Sequence, residues 1–247
     1  MVSMKLILSP SRNIKEYKTD ISGTKPVFQN EALLLAKELK KYSPWDLEDM
    51  LKINDKLAYK TFVDIQNFDL DKQGTPALFA YDGLVFKNIN AAGLTAGALS
   101  HAQNTLRIIS AFYGLLKPLD IILPYRLELQ SPLKLNNKNL YNFWNDKIYH
   151  ELYKESKCII NLASEEYAKA VRRYLKPGDR FIDIVFYSIA KGSRKIVTTT
   201  AKMARGQMVK YILENKITSP EALKGFNWAG FEYERKLSHY EKYVFFE

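Results

Sequence analysis

Cysteine is nearly absent from this 247-residue chain: Cys158 stands alone, so no internal disulfide forms. Its setting, KCIINLA, reads as a buried strand of a protein from a reducing, cytoplasmic compartment, where apolar neighbours raise a thiol and disfavour it as a nucleophile. Histidine is scarce too. His101, His150 and His239 lie far apart with no H-x-H or H-x-x-x-H spacing, so no metal site and no cofactor is expected. The 11 glycines are too sparse for a dinucleotide fingerprint, and G-x-G-x-x-G, the P-loop pattern and G-x-S-x-G are all missing. Apolar runs stop far short of the roughly 20 residues a membrane span needs, so no membrane partner is expected. Residues 1–8 lack a small-residue cleavage site and read as a first strand rather than a signal peptide. Three S-x-x-K matches, Ser22/Lys25, Ser131/Lys134 and Ser188/Lys191, have no accompanying catalytic element and read as chance in a Lys-rich chain.

What is present is the composition of a folded protein, 47% hydrophobic and 26% charged. The length suffices for one domain over residues 1–247 without staples. Strand-like apolar runs fall at residues 5–9, 77–81, 158–162, 181–189 and 195–199, with helical patterns between them. Residues 27–41 carry Phe28, Leu33, Leu34 and Leu39; Ser43-Pro44 followed by Asp46 is an N-cap, a proline in the first turn and an acid beside it. Further helices are expected from Asn54, from Asn139 or Tyr141 up to the Cys158 strand, and after Ser164. A last one covers residues 198–215, with Thr200 as a cap and Gly206 marking the close approach of another backbone or a ligand. The tail beyond Gly230 suggests two short strands. This order predicts a mixed α/β or α+β fold, a compact central β core flanked by helices.

Acidic residues are in deficit, 27 against 37 Lys and Arg, for a formal net charge of +10. Residues 169–210 hold eleven of the basic side chains and only Asp179 and Asp183 as acids, so nearly the whole excess sits in a sixth of the chain. Such a window suits a polyanionic partner if it folds onto one face, and is otherwise a solvated surface.

The densest pattern is residues 106–128, LRIISAFYGLLKPLDIILPYRLE, two short elements about a turn at Gly114 and Pro118. It resembles the YaaA family of bacterial peroxide-stress proteins nearly residue for residue. Further blocks in the same order also resemble that family: Ser9-Pro10-Ser11-Arg12, MLKINDKLA, ALFAYDGLVF, LYNFW, NLASEEY and AKMARGQM. The resemblance implies a cytosolic protein with a helix-hairpin-helix-like element and a basic cleft that binds DNA. It also implies a link to hydrogen peroxide and to lower free intracellular iron. The turn departs from the usual hairpin pattern, since residues 113–118 carry one glycine rather than two. Arg12 stands where the family more often has Lys, and Asn54 where it has Ser.

Lys202 and Arg205, at i and i+3 with Gly206 alongside, share a helix face and form the strongest candidate phosphate grip. Arg12, Lys52, Lys56, Arg107, Gly114, Lys117, Tyr125 and Arg126 complete the candidate DNA or phosphate contacts, and Glu128 and Glu166 are candidate acid or base groups. Trp144 and Phe143 are assigned to the core. Two functions compete: duplex or distorted DNA bound largely without sequence specificity, or an enzyme acting on a nucleotide or other phosphorylated small molecule. A pocket of single-ligand size favours the second; an open groove favours the first.

Overall fold

Eight strands form the large sheet: β1 (Met4–Leu8), β2 (Leu106–Ser110), β3 (Gly114–Leu116), β4 (Cys158–Asn161), β5 (Arg180–Ala190), β6 (Ser193–Lys195), β7 (Glu232–Tyr233) and β8 (Lys242–Phe246). The computed structural model describes residues 4–190 and 193–247; Lys191, counted both in the basic window and in one serine–lysine pair, lies outside them, as do residues 1–3. The strand order is β7-β8-β5-β4-β1-β2-β3, with β6 paired to β5. β8, β5, β4, β1 and β2 run parallel, and β3, β6 and β7 are antiparallel additions at the margins. The inner strands β2 and β4 are buried throughout, as continuous apolar runs covered on both faces must be.

Helices α1 (Gln29–Leu39), α2 (Pro44–Leu51), α3 (Asp55–Gln66), α4 (Leu84–Ile89), α5 (Ala96–Thr105), α6 (Lys147–Glu155), α7 (Glu165–Arg172) and α8 (Thr198–Glu214) flank the sheet, with one-turn helices at Ala77–Ala80 and Leu140–Trp144. Ser43 closes a capping box with Asp46, and Asn54 accepts from the Leu57 amide, so both expected helix starts form. One apolar core joins all layers, with Trp144 fully enclosed in it and Phe143 packed against it.

Several elements depart from expectation. Residues 77–81 form a buried helical turn, while Thr75 and Pro76 pair with Ile122 and Ile121; a short apolar run carries no period that separates strand from buried helix. In α1 the buried stripe is Ala32, Leu35, Ala36 and Leu39, leaving Leu33 and Leu34 exposed. The helix expected up to the Cys158 strand breaks at Asn145, whose φ of 47° ends one turn before α6 starts. α8 begins at Thr198 with Val197 as its cap residue, rather than at Thr200, and β6 stops at Lys195.

The largest correction concerns residues 106–128. The segment forms a β-hairpin, Ile108 opposite Leu116 and Ser110 opposite Gly114, instead of two helices around a turn. β-Branched Ile108 and Ile109 lie in a strand paired with β1, where they pack well. The amides of Phe112 and Tyr113 donate to Ser110 Oγ at 3.1 and 2.9 Å, so the turn's N–H groups serve the turn itself and are not offered to phosphate. Gly114 is buried, with φ +71°, and a Cβ there would lie 2.6 Å from the Trp144 ring and 2.7 Å from Phe28.

The topology contains one point of reversal. From β1 the chain crosses to β2 on one side, then returns across β1 to β4 and proceeds outward through β5 to β8. The strand order therefore reverses between β1 and β4. In open α/β sheets the crevice outside the carboxyl ends of the strands at such a point is where ligands bind.

Candidate functional site

A pocket of about 470 Å³ opens at that reversal. The loop leaving β1 supplies Ser9, Pro10, Ser11 and Arg12, and the loop leaving β4 supplies Leu162, Ser164, Glu166 and Tyr167. Residues 125–128 form a strap across them, carrying Tyr125, Arg126 and Glu128. Lys52 and its neighbours Leu51 and Ile53 enter from the end of α2, residues 83–86 from the start of α4, and Lys202 and Arg205 from α8.

The two loops are tied together at their base. The Ser164 amide donates to Ser9 Oγ at 2.8 Å, and Ser9 Oγ donates to Ser164 Oγ at 3.1 Å. Ser164 thus occupies the α7 cap position but spends its hydroxyl on the β1 loop rather than on the helix. Gly83 lets α4 approach the same loop, since a Cβ there would sit 2.7 Å from Ser11 Oγ. Gly206 does the same for α8: a Cβ would lie 2.3 Å from the Val85 carbonyl oxygen, so the glycine anticipated as a close-approach site serves helix contact and brings Lys202 and Arg205 to the pocket.

Five cations line the pocket against two carboxylates. Arg12 is neutralised by Glu128, donating from Nε and an Nη at 2.6 and 2.8 Å; that hydrogen bond and the carboxylate's charge raise the guanidinium above its ordinary value. Lys52 meets Asp49 at 2.8 Å in an exposed pair. Arg126, Lys202 and Arg205 make no ion pair among the described residues. Among the described residues Arg126 reaches Asn13 Oδ1 alone, at 3.4 Å, and is lowered by burial and by Arg12. Arg205 is half-buried, its Nε is shut off from water with no hydrogen-bond partner, and burial alone lowers it. A guanidinium N–H left orphaned in this way costs free energy unless an anion completes it.

The two carboxylates differ in surroundings. Glu166 is raised above its ordinary value by burial and by the charge of Glu128, against the Gln130 amide, which donates to its Oε1 at 3.2 Å. Tyr125 closes the floor: its hydroxyl is 2.7 Å from the Tyr81 hydroxyl and 2.8 Å from Ser110 Oγ, and burial pushes it up to about 12.

Of the sequence candidates, the pocket gathers Arg12, Lys52, Tyr125, Arg126, Lys202, Arg205, Glu128 and Glu166. Four lie elsewhere. Lys56 is exposed on α3, because Lys52 is the left-handed residue ending α2 (φ 52°) and the two share no helix face. Arg107 is buried against Glu155 and donates to the Gln103 and Leu106 carbonyls at 3.0 and 2.7 Å. Lys117 stands 4.0 Å from the same Glu155, and Gly114 is the enclosed turn described above. The basic window also disperses: Arg172 pairs with Asp183, Arg180 with Glu221 and Lys210 with Glu214, while Lys169 and Lys176 lie over Tyr141 and Tyr149. Its contribution to the pocket is Lys202 and Arg205.

Sequence reasoning missed Ser9, Ser11 and Ser164 as site residues, although the family-like blocks around them carried the signal. Among the described residues no group of three or more His, Cys, Asp or Glu could hold a metal ion, and no helix is long and apolar enough to cross a membrane.

Fold and site together define a mixed α/β protein with a pocket lined by five cations and two carboxylates at a topological switch point. The model for the family described as peroxide stress protein YaaA matches residues 4–237. UPF0246 proteins of Ligilactobacillus salivarius and Agathobacter rectalis are each 41% identical to the chain, over 98% of it and 99% and 98% of their own lengths. One from Clostridioides difficile is 38% identical over 98% of the chain and 99% of its own length. The chain belongs to the YaaA family of peroxide stress proteins.

Proposed function

We propose that the switch-point pocket binds one phosphate-bearing small molecule of nucleotide size. The observation that carries this is Arg205: a withdrawn guanidinium with an orphaned Nε, next to Lys202 and near an Arg126 that also lacks a carboxylate. A phosphate supplies the acceptors these donors lack, Arg by parallel bonds and Lys as a point charge. Leu51, Ile53, Leu84, Val85 and Leu162 in the same lining suit the apolar body of a heterocycle. The volume falls in the range of single-ligand sites.

DNA binding is a second reading, favoured by a different observation. β5 runs past the end of β4, which pairs with it only up to Asp183, and β6 presents exposed Arg194 and Lys195 there, ahead of the helix that delivers Lys202. A strand tracked by these cations would place one nucleotide at the pocket mouth. Any effect on free iron would then follow indirectly, from protection of DNA rather than from chelation.

Calorimetric titration of nucleoside mono-, di- and triphosphates, pyrophosphate, and short single-stranded and duplex DNA tests both. Micromolar nucleotide binding that weakens tenfold or more in Arg205→Ala is the expected result. DNA affinity that leaves log K flat against log salt would end the DNA reading, since each phosphate neutralised contributes a slope of roughly −0.9. Failure of every phosphorylated ligand to bind would end the first.

A further inference from the structure

The carboxylates are what a binding site for a phosphate does not need. Glu128 and Glu166 come from separate segments, the strap and the first turn of α7, yet both face the pocket that holds Arg126, Lys202 and Arg205. Beside a phosphoryl centre, whose transition state is anionic, they would repel the reacting group. Beside the anomeric carbon of a sugar, whose transition state is an oxocarbenium cation, they would stabilise it. We propose, building on the nucleotide reading above, that the pocket hydrolyses the N-glycosidic bond of the nucleotide it holds, with Glu166 donating the proton to the base and Glu128 receiving one from water.

In this step the C1′–N bond breaks and its electron pair goes to the base nitrogen, which takes the Glu166 carboxyl proton. A water oxygen bonds C1′ as that water's proton passes to Glu128. Transfer of a proton from Glu128 back to Glu166 through solvent restores the pair, and the net change is nucleotide plus water to free base plus sugar phosphate. Neither oxidant nor further reactant is required. The division of labour follows the contacts: Glu128 accepts two hydrogen bonds from the Arg12 guanidinium, a setting that suits the proton acceptor, whereas Glu166 has no ion-pair partner among the described residues, accepts from the Gln130 amide and is raised by burial, a setting that suits the acid. The groups that face the Glu166 carboxyl are Glu128 and Arg12, the Gln130 and Leu129 amides just beyond the strap, and the neighbouring phenols of Tyr141 and Tyr167. Arg126, Lys202 and Arg205 hold the phosphate and thereby fix C1′.

The test separates binding from chemistry. Wild type, Glu166→Gln and Arg205→Ala are incubated with ribo- and deoxyribonucleoside 5′-monophosphates of all common bases, and with single-stranded and duplex DNA. Released base is read by chromatography, and affinity by calorimetry on the same samples. The expected result is base release by wild type from at least one nucleotide source. Glu166→Gln should slow it a hundredfold or more with affinity for that nucleotide within about threefold, and Arg205→Ala should raise KM. The kcat of wild type should fall as pH rises through the raised Glu166 value, a limb absent from Glu166→Gln. Tight binding with no base released from any substrate overturns the proposal while leaving the binding reading intact. Equal release by wild type and Glu166→Gln also overturns it. Loss of binding by the wild type removes the binding reading itself. Release from free nucleotides alone or from DNA alone identifies the source of the substrate.

Discussion

Arg107 in the hairpin and Arg205 on the last long helix are both withdrawn from water, and the chain surrounds them oppositely. Arg107 donates to Glu155 and to two backbone carbonyls, and Glu155 is shared with Lys5 at 3.0 Å. Arg205 has neither a carboxylate nor any partner for its Nε among the described residues. The hairpin, the most family-like stretch of the sequence, is therefore a satisfied structural joint. The switch-point pocket leaves Arg126, Lys202 and Arg205 without an ion pair among the described residues. Pattern density in a sequence marks what is constrained, and constraint comes from packing as readily as from a ligand.

The sharpest way to break this contrast is at Gly114. Alanine there would adopt a left-handed φ and push a methyl into the Trp144 and Phe28 rings. Gly114→Ala should cost about 3 kcal/mol or more in urea unfolding, yet leave the nucleotide affinity of the folded fraction unchanged. A loss of affinity at full stability would return the hairpin to the site.

Glu155→Gln comes next. It leaves Arg107 buried without its anion, and because the Glu155 side chain is 21% exposed the cost should lie nearer 2 than 5 kcal/mol. Burial alone would raise the Glu155 carboxyl, but the Lys5 hydrogen bond and the Arg107 charge outweigh it and hold it below its ordinary value. The stability it contributes is present above the unfolded-state value and lost as pH falls through the folded one. Unfolding followed from about pH 6 to pH 3 should show a decline that Glu155→Gln flattens.

Arg205→Met should do the reverse. Removing an unpartnered guanidinium leaves the unliganded protein as stable, or up to about 1 kcal/mol more stable, while binding of the nucleotide weakens by about 1.5–3 kcal/mol. Thermal melts with and without ligand check both halves. Destabilisation without ligand would show that Arg205 has a structural partner and is not kept for an anion.

Much of this was legible in the sequence, and the gaps have physical causes. Helix starts at Ser43 and Asn54 carry local chemistry, a side-chain oxygen three residues ahead of the amide it accepts from, so they read directly. Lys202 and Arg205 share a face because helical spacing makes them do so. Residues 77–81 did not read, since five consecutive buried side chains contain no period. The hairpin did not read because a strand in a parallel interior and a buried helix look alike over five residues. Ser9 and Ser164 lie 155 residues apart in sequence and meet through sheet order alone, which no spacing encodes. The basic window misled in the opposite sense: its charges are close in sequence, but most are spent on Asp183, Glu221, Glu214 and ring faces.

The smallest effect belongs to Arg12 and Glu128, whose pair joins the β1 loop to the strap at the pocket mouth. With the Arg12 side chain 70% exposed, solvent screens the contact despite its two-point geometry. A double-mutant cycle with Arg12→Ala and Glu128→Gln should give a coupling below about 1 kcal/mol in urea unfolding, shrinking further with salt. Because Glu128 already satisfies Arg12, Arg12→Ala should also move nucleotide affinity far less than Arg205→Ala does. A coupling of several kcal/mol would mean that the strap is held down by this pair. The pocket mouth would then open whenever an incoming anion competed for Arg12, and the distinction between satisfied and waiting cations would have to be redrawn around that residue.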